Sequence, residues 1–199
     1  MKKSYSPIAR AFIHTSLGLV IAGALLLLGK NLIAAILFPI TACFLGLEWL
    51  RFRRSAYNQW IVKQLALFMR IEEETHLTGA FYYLTGTAVT VLVFPREIAL
   101  TAILFLAFGD PAATLVGLWR GRTRIWGKSL EGNLVCLAIC LAVGIVSASF
   151  QPDLSIWVAI TGAFWAAILE AVPLRVNDNI TIPVGAGAAM LALKLILSG

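Results

Sequence analysis

Long apolar runs alternate with short polar islands along this chain. Runs of the length that crosses a bilayer as a helix, about 20 residues at 1.5 Å each, fall at roughly 11 to 29, 31 to 50, 79 to 95, 97 to 119, 133 to 150, 154 to 172 and 180 to 198. The first begins with Arg10 and His14, is too long for a secretory signal and lacks a small-residue cleavage site, so it reads as a retained helix. The one long polar connection, residues 51 to 78, sets Tyr57, Ile61, Leu65 and Phe68 at helical spacing opposite Arg53, Asn58 and Lys63. That spacing predicts a helix lying along the membrane interface. The fold class is therefore all-α: a polytopic membrane helix bundle of about seven transmembrane helices plus one interfacial helix, with residues 1 to 199 forming a single integral membrane domain.

Composition agrees with the pattern. Of the 199 residues, 60% are hydrophobic and 13% charged, far below the roughly 25% charged of soluble domains. Short cytoplasmic loops carry the excess of lysine and arginine. With the N-terminus inside, the inner segments hold Lys2, Lys3, Arg10, Arg51, Arg53, Arg54, Lys63, Arg70, Arg120, Arg122, Arg124, Lys128 and Arg175, which leaves only Lys30, Arg96 and Lys194 of the 16 elsewhere. The sequence thus predicts a multi-pass protein with a cytoplasmic N-terminus. A net charge of +6 is accounted for by orientation and anionic headgroups, and no segment reads as a nucleic-acid-binding domain. Cys43, Cys136 and Cys140 all lie inside apolar runs and read as core residues, without a third thiol or histidine to build a metal site.

Residues 109 to 132, GDPAATLVGLWRGRTRIWGKSLEG, break the apolar pattern. A charge at the centre of a membrane helix costs about 2.5 to 3.5 kcal/mol on the insertion scale, so Asp110 marks a candidate site. The following GRTRIWGKS misses the phosphate-binding spacing G-x-x-x-x-G-K-[ST] by one residue. Its chemistry still suits phosphate, since Gly127, Lys128 and Ser129 would offer N–H groups, an ammonium and a hydroxyl near a helix N-terminus. Arg122 and Arg124 would either bind a nucleotide or simply enforce orientation. A third island, LEAVPLRVNDNITIP at 169 to 183, holds Asp178 and Asn179, which read as turn residues or as part of the site. Glu72, Glu73 and Glu74 likewise read as a solvated charge run or as site residues. In the predicted topology all these islands reach one face. Carboxylates from separate segments beside a basic glycine loop suit phosphoryl chemistry, in which magnesium takes one or two carboxylates plus phosphate oxygens.

At these residues the chain resembles the CTP-dependent lipid kinases, which include yeast-type diacylglycerol kinase, dolichol kinase and phytol kinase. GDPAATLVG followed by GKSLEG is similar to the family's G-D-x-x-A-x-x-x-G and G-K-S-x-E-G elements, and NDNITIP resembles its D-N-x-T-x-P element. Arg10 with His14 is similar to its basic-x-x-x-His opening, and MRIEEETHLTG to its R-x-x-E segment ending in Ser/Thr-Gly, with Glu73 or Glu74 as the matching acid. Asn177 stands where many members carry another aspartate.

The resemblance implies transfer of the γ-phosphoryl group of CTP to the hydroxyl of a membrane lipid. Lys128, Ser129 and the backbone of Gly127 and Gly132 would hold the triphosphate with Arg122 and Arg124. Asp110 and Asp178 would hold Mg2+ or accept the lipid hydroxyl proton, and Glu131 would orient Lys128 or ligate the metal. Residues 109 to 132 would form the active-site segment on the cytoplasmic side. The alternatives are a CTP:phosphatidate cytidylyltransferase, whose longer lysine-rich element and paired C-terminal aspartates are absent here, and a non-catalytic transporter or scaffold with Asp110–Pro111 marking a broken helix. The topology predicts that single cysteines placed at Ser55, Arg122 and Val176 label with an impermeant reagent from the cytoplasmic side only. Labelling of position 122 from outside would separate the basic loop from the other polar islands.

Overall fold

Every one of the seven apolar runs forms a helix, and the polar connection adds an eighth. The computed structural model describes residues 5–198, so Lys2 and Lys3 of the basic face lie outside the described residues. In chain order the helices are α1 (Pro7–Leu28), α2 (Lys30–Arg53), α3 (Ser55–Gln64), α4 (Gly79–Val93), α5 (Arg96–Arg120), α6 (Leu130–Phe150), α7 (Ile156–Ala171) and α8 (Asp178–Ser198). Two strands of two residues each, β1 (Arg124–Ile125) and β2 (Lys128–Ser129), form a hairpin between α5 and α6. The result is an all-α membrane helix bundle. Five of its helices, α1, α2, α5, α6 and α8, are long and apolar enough to cross a membrane. The apolar runs at 79 to 95 and 154 to 172 yield shorter helices, α4 of 15 residues and α7 of 16, because Pro95 and Pro173 follow their ends and α7 starts only after its N-cap Ser155.

Helix α5 occupies the centre. Its residues Ile98, Leu100, Ile103, Phe105 and Leu106 are wholly inaccessible, and α1, α4, α6, α7 and α8 pack around it. Small residues set how closely these neighbours approach, as is usual where lipid supplies no hydrophobic drive between helices. A Cβ on Gly109 would sit 2.8 Å from Cys140 Sγ and 3.0 Å from Cys136 Sγ, and one on Gly18 would sit 2.3 Å from Ala107 Cβ. Both cysteines are free and buried in this seam, in the core role that the sequence suggests.

Pro111 lies inside α5, and a proline in a helix leaves the carbonyl four residues earlier without its usual donor. That carbonyl is Ala107, and the Thr15 hydroxyl of α1 donates to it at 2.8 Å. The break in the backbone ladder is thus repaired from the neighbouring helix, which fixes α1 against α5 next to Asp110.

The polar islands meet at one end of the bundle. Ser6 N–H donates to the Leu67 carbonyl at 2.9 Å, Asn179 Nδ2 donates to the Gly79 carbonyl at 3.0 Å, and Lys128 pairs with Asp178 at 2.8 Å. At the other end Arg96 donates to the Leu25 and Leu26 carbonyls at the end of α1, and Lys194 pairs with Glu97 at 2.5 Å. In the connection between α2 and α4, α3 accounts for the expected interfacial helix, but Leu65 and Phe68 lie past its end in a turn, followed by a 3-10 turn at Ile71–Glu74. Asn58 differs from the expected solvent-facing position. Its side chain accepts from Arg51 Nη1 at 3.0 Å and donates to the Glu74 carbonyl at 3.1 Å, because buried Arg51 needs acceptors at that level.

The bond across the proline break predicts that Thr15→Val, similar in shape but lacking the donor, lowers unfolding free energy by about 1 kcal/mol. Reversible unfolding in mixed micelles measures it, and an unchanged midpoint would show that the Ala107 carbonyl does not depend on Thr15.

Candidate active site

The hairpin after α5 delivers Lys128 to the site. Arg124 pairs with Ser129 and Ile125 with Lys128, so Trp126 and Gly127 form a two-residue turn. Both have positive φ, 51° and 89°, as a type I′ turn requires and as glycine tolerates best. The phosphate-cradling loop suggested by GRTRIWGKS is therefore a β-turn. Ser129 and Gly132 are also already engaged: the buried Ser129 hydroxyl accepts from Gly132 N–H at 3.0 Å and caps α6. Gly117 and Gly132 let this cap seat on α5, since a Cβ on either would lie within 2.8 Å of Ser129 Oγ. In this geometry Ser129 and Gly132 fix the α5–α6 corner, and their cap bond leaves Gly132 N–H no free bond for phosphate.

Glu131 turns toward the hairpin. Its Oε1 accepts from Thr123 N–H at 3.0 Å and Lys128 has other ion-pair partners, so of the two roles that the sequence suggests, orienting the lysine or ligating a metal, the first is not seen here, while Oε2 is buried without a partner. Lys128 Nζ pairs with Asp178 Oδ2 at 2.8 Å and Glu170 Oε1 at 3.4 Å, and it also donates to the Glu170 carbonyl. The ammonium thus joins the carbonyl end of α7 to the first residue of α8, where the helix dipoles favour a cation and an anion respectively. Burial disfavours the Lys128 charge, but its hydrogen bond to Asp178 and the charges of Asp178, Glu170 and Asp110 outweigh burial and raise its pKa above the ordinary lysine value.

Asp110 stands on the central helix within electrostatic reach of Lys128, Glu170 and Asp178. On its other side is His14 of α1, with Nδ1 at 3.8 Å from Oδ2. The structure therefore brings Asp110, Lys128, Asp178 and His14 together, and adds Glu170. The sequence reading passed over Glu170, although a glutamate closing the apolar run of α7 carries the same signal as Asp110 in α5.

The remaining candidates serve neighbouring positions. Glu73 is buried, pairs with Arg10 at 2.6 Å and accepts from Arg70 N–H, whereas the neighbouring Glu74 is only partly buried. Asn179 is buried and ties α8 to α4 through Gly79. Arg122 and Arg124 are exposed on the hairpin, and among the described residues neither forms an ion pair. A second buried pair, Glu48 with Arg51 at 2.6 Å, underlies the α2–α4 connection, again from a charge within an apolar run.

Three carboxylates outnumber the Lys128 ammonium and the Arg70 guanidinium, which acts on Asp110 and Asp178, and leave an acidic excess that would not hold a triphosphate by itself. A divalent cation bridging carboxylates and phosphate oxygens offsets that excess, and Glu170 Oε2 is buried without a hydrogen-bond partner. The donor set therefore fits Mg2+ arriving with a nucleotide. Among the described residues no group of three or more His, Cys, Asp and Glu side chains could hold an ion alone.

Sequence comparison finds relatives along most of the chain. CTP-dependent diacylglycerol kinase 1 of Schizosaccharomyces pombe is 30% identical over 89% of this chain and 88% of its own length. An uncharacterized protein of Methanocaldococcus jannaschii is 30% identical over 88% of each chain. CTP-dependent diacylglycerol kinase 1 of Eremothecium gossypii is 27% identical over 69% of this chain and 51% of its own length. No family model and no solved structure matches.

The raised Lys128 pKa has a defined sign. A lysine whose folded pKa exceeds its unfolded value contributes stability that is complete below the unfolded pKa and is lost as pH rises through the folded one. The Lys128 side-chain nitrogen resonance in micelles should therefore remain that of an ammonium from neutral pH to about pH 10. Titration near pH 8 would mean that burial outweighs the carboxylates.

Proposed function

The chain belongs to the CTP-dependent lipid kinases, and from that membership we propose that it transfers the γ-phosphoryl group of CTP to the free hydroxyl of diacylglycerol. The observation that carries the reading is the Lys128 ammonium lodged between Asp178 and Glu170, with Asp110 in electrostatic reach. The named relatives favour diacylglycerol over polyprenol or phytol as acceptor.

In the proposed reaction Lys128 contacts the γ-phosphate oxygens, and Arg122 and Arg124 hold the outer triphosphate from the exposed hairpin. Asp110 accepts the proton of the lipid hydroxyl. The new bond joins the lipid oxygen to the γ-phosphorus, and the bond from that phosphorus to the β,γ-bridging oxygen breaks, releasing CDP. A Mg2+ ion bound with CTP would be held by Asp178 and Glu170 and would neutralise charge on the phosphate oxygens. His14 sets the orientation of Asp110 from the side away from Lys128. The site face is cytoplasmic in this reading, since it carries the excess of lysine and arginine.

Removing one electrostatic group aimed at the reacting centre costs about 100- to 1,000-fold in kcat. Asp110→Asn and Lys128→Ala should each lose at least that much while still purifying as monodisperse species. Activity within a few fold of the parent would remove that residue from the site. With γ-labelled CTP, the label should pass to diacylglycerol in preference to polyprenol or phytol, with CDP as the second product. Release of pyrophosphate with phosphatidic acid as substrate would overturn the kinase reading in favour of cytidylyl transfer.

A further inference from the structure

A cavity of about 310 Å³ lies between α1, α2, α3 and α4, with Asn179 of α8 also on its wall, and its lining includes His14, whose Nδ1 is 3.8 Å from Asp110 Oδ2. That volume is at the lower end of the roughly 300 to 1,000 Å³ of small-molecule sites. Its walls are apolar, with Leu17 and Phe44 from the spanning helices and Ile61 and Phe68 from the α3 segment. Ile13, Leu47 and Leu65 line it yet remain 41 to 45% exposed, so the cavity is open at its edge. The interfacial segment forms one wall, and its apolar stripe of Tyr57, Ile61, Leu65 and Phe68 turns into the cavity.

The lining also includes the Arg10–Glu73 and Glu48–Arg51 pairs, Thr78 and Asn179, each with a partner, and two residues that carry unpaired polar atoms. His14 Nε2 and Tyr83 Oη are both buried and have no hydrogen-bond partner, although buried polar groups are nearly always paired. The two rings, both of residues that line the cavity, touch edge to face with centroids 4.5 Å apart, and the Tyr83 hydroxyl sits behind the wall against Gly18 of α1. His14 Nδ1 is directed to Asp110, which leaves Nε2 for a group on the cavity side. A largely apolar chamber whose wall also holds polar groups, among them the histidine next to Asp110, suits a molecule with a hydrocarbon tail and an oxygen function at its end.

We propose that this cavity is the acceptor-lipid site: one acyl chain lies between α3 and the α1–α2 wall, and oxygens of the glycerol end hydrogen-bond to His14 Nε2 and Tyr83 Oη. This deepens the kinase reading and rests on it for the identity of the lipid. The lipid oxygen then approaches Asp110 from the His14 side while the triphosphate is held at Lys128. Tyr83 acts here as a positioning residue for the lipid, with no contact to the nucleotide. The Arg10–Glu73 pair, which also lines the cavity, closes the end nearest the polar face.

A photoactivatable diacylglycerol, with a diazirine in one acyl chain, tests placement without any turnover. The purified parent protein should be labelled on the α1, α2 or α3 segments, and excess unlabelled diacylglycerol should suppress it. Kinetics provide a second measurement. Ala80→Trp, which builds an indole into the cavity from an exposed position, should raise KM for diacylglycerol at least tenfold with KM for CTP unchanged. Tyr83→Phe should lower kcat/KM for the lipid about tenfold, again leaving KM for CTP unchanged. Competed labelling confined to other helices, or an unchanged lipid KM in Ala80→Trp, would overturn the cavity assignment even if CDP is formed. Labelling of α1, α2 or α3 by diacylglycerol without CTP turnover would uphold the lipid site and overturn the kinase reading.

Discussion

A helix that is apolar on nearly every side must be enclosed by lipid or by other helices, and α5 is enclosed by five helices. Of its two carboxylates, Glu97 in the first turn pairs with Lys194, whereas Asp110, deep in the helix, has to find polar company on the helices that surround it. The chain supplies this from both flanks. Histidine comes from α1, whose position is held by the Thr15 bond to the carbonyl that Pro111 leaves free, and the ammonium comes from the hairpin that follows α5 itself. The proline beside the aspartate thus links the placement of the charge to the placement of its neighbour.

On the other flank Lys128 is the junction of three segments: the hairpin, the end of α7 and the start of α8. Removing one partner of a buried charged set leaves the others uncompensated, which costs about 3 to 5 kcal/mol in soluble proteins. The same contacts that hold α7 and α8 at this angle also present carboxylates to whatever replaces the ammonium's solvent. Structure and chemistry share their residues here, and the glycines at 109, 117 and 132 make the sharing possible by bringing α6 onto α5.

Much of this was legible in the sequence because membranes simplify the code. Apolar length located all seven core helices, and charges inside apolar runs located Asp110; applied evenly, the same rule would have located Glu170 and Glu48. What could not be read was local geometry around glycine. GKSLEG offers the same residue types to a phosphate loop and to a hairpin with a capped helix, and only the positive φ at Trp126 and Gly127 decides between them. Similarly, three adjacent glutamates gave no reason to separate Glu73, which turns inward to Arg10, from Glu74. The ends of α4 and α7 were also hidden, since residues such as Val172 are apolar whether or not they continue a helix.

Those two short helices carry a consequence for the surrounding lipid. At 1.5 Å per residue, α4 and α7 extend about 22 and 24 Å, against roughly 30 Å of hydrocarbon in an average bilayer. Their exposed residues, such as Leu92 and Val93 on α4 and Trp157 and Trp165 on α7, meet acyl chains directly, so the bilayer beside them must thin or the flanking polar segments must sink. Both responses carry a cost of a fraction of a kcal/mol per Å. Membrane thickness is thereby coupled to the two helices whose ends frame the Lys128 and Asn179 contacts, and the acyl-chain length of the host membrane becomes a variable acting on the site.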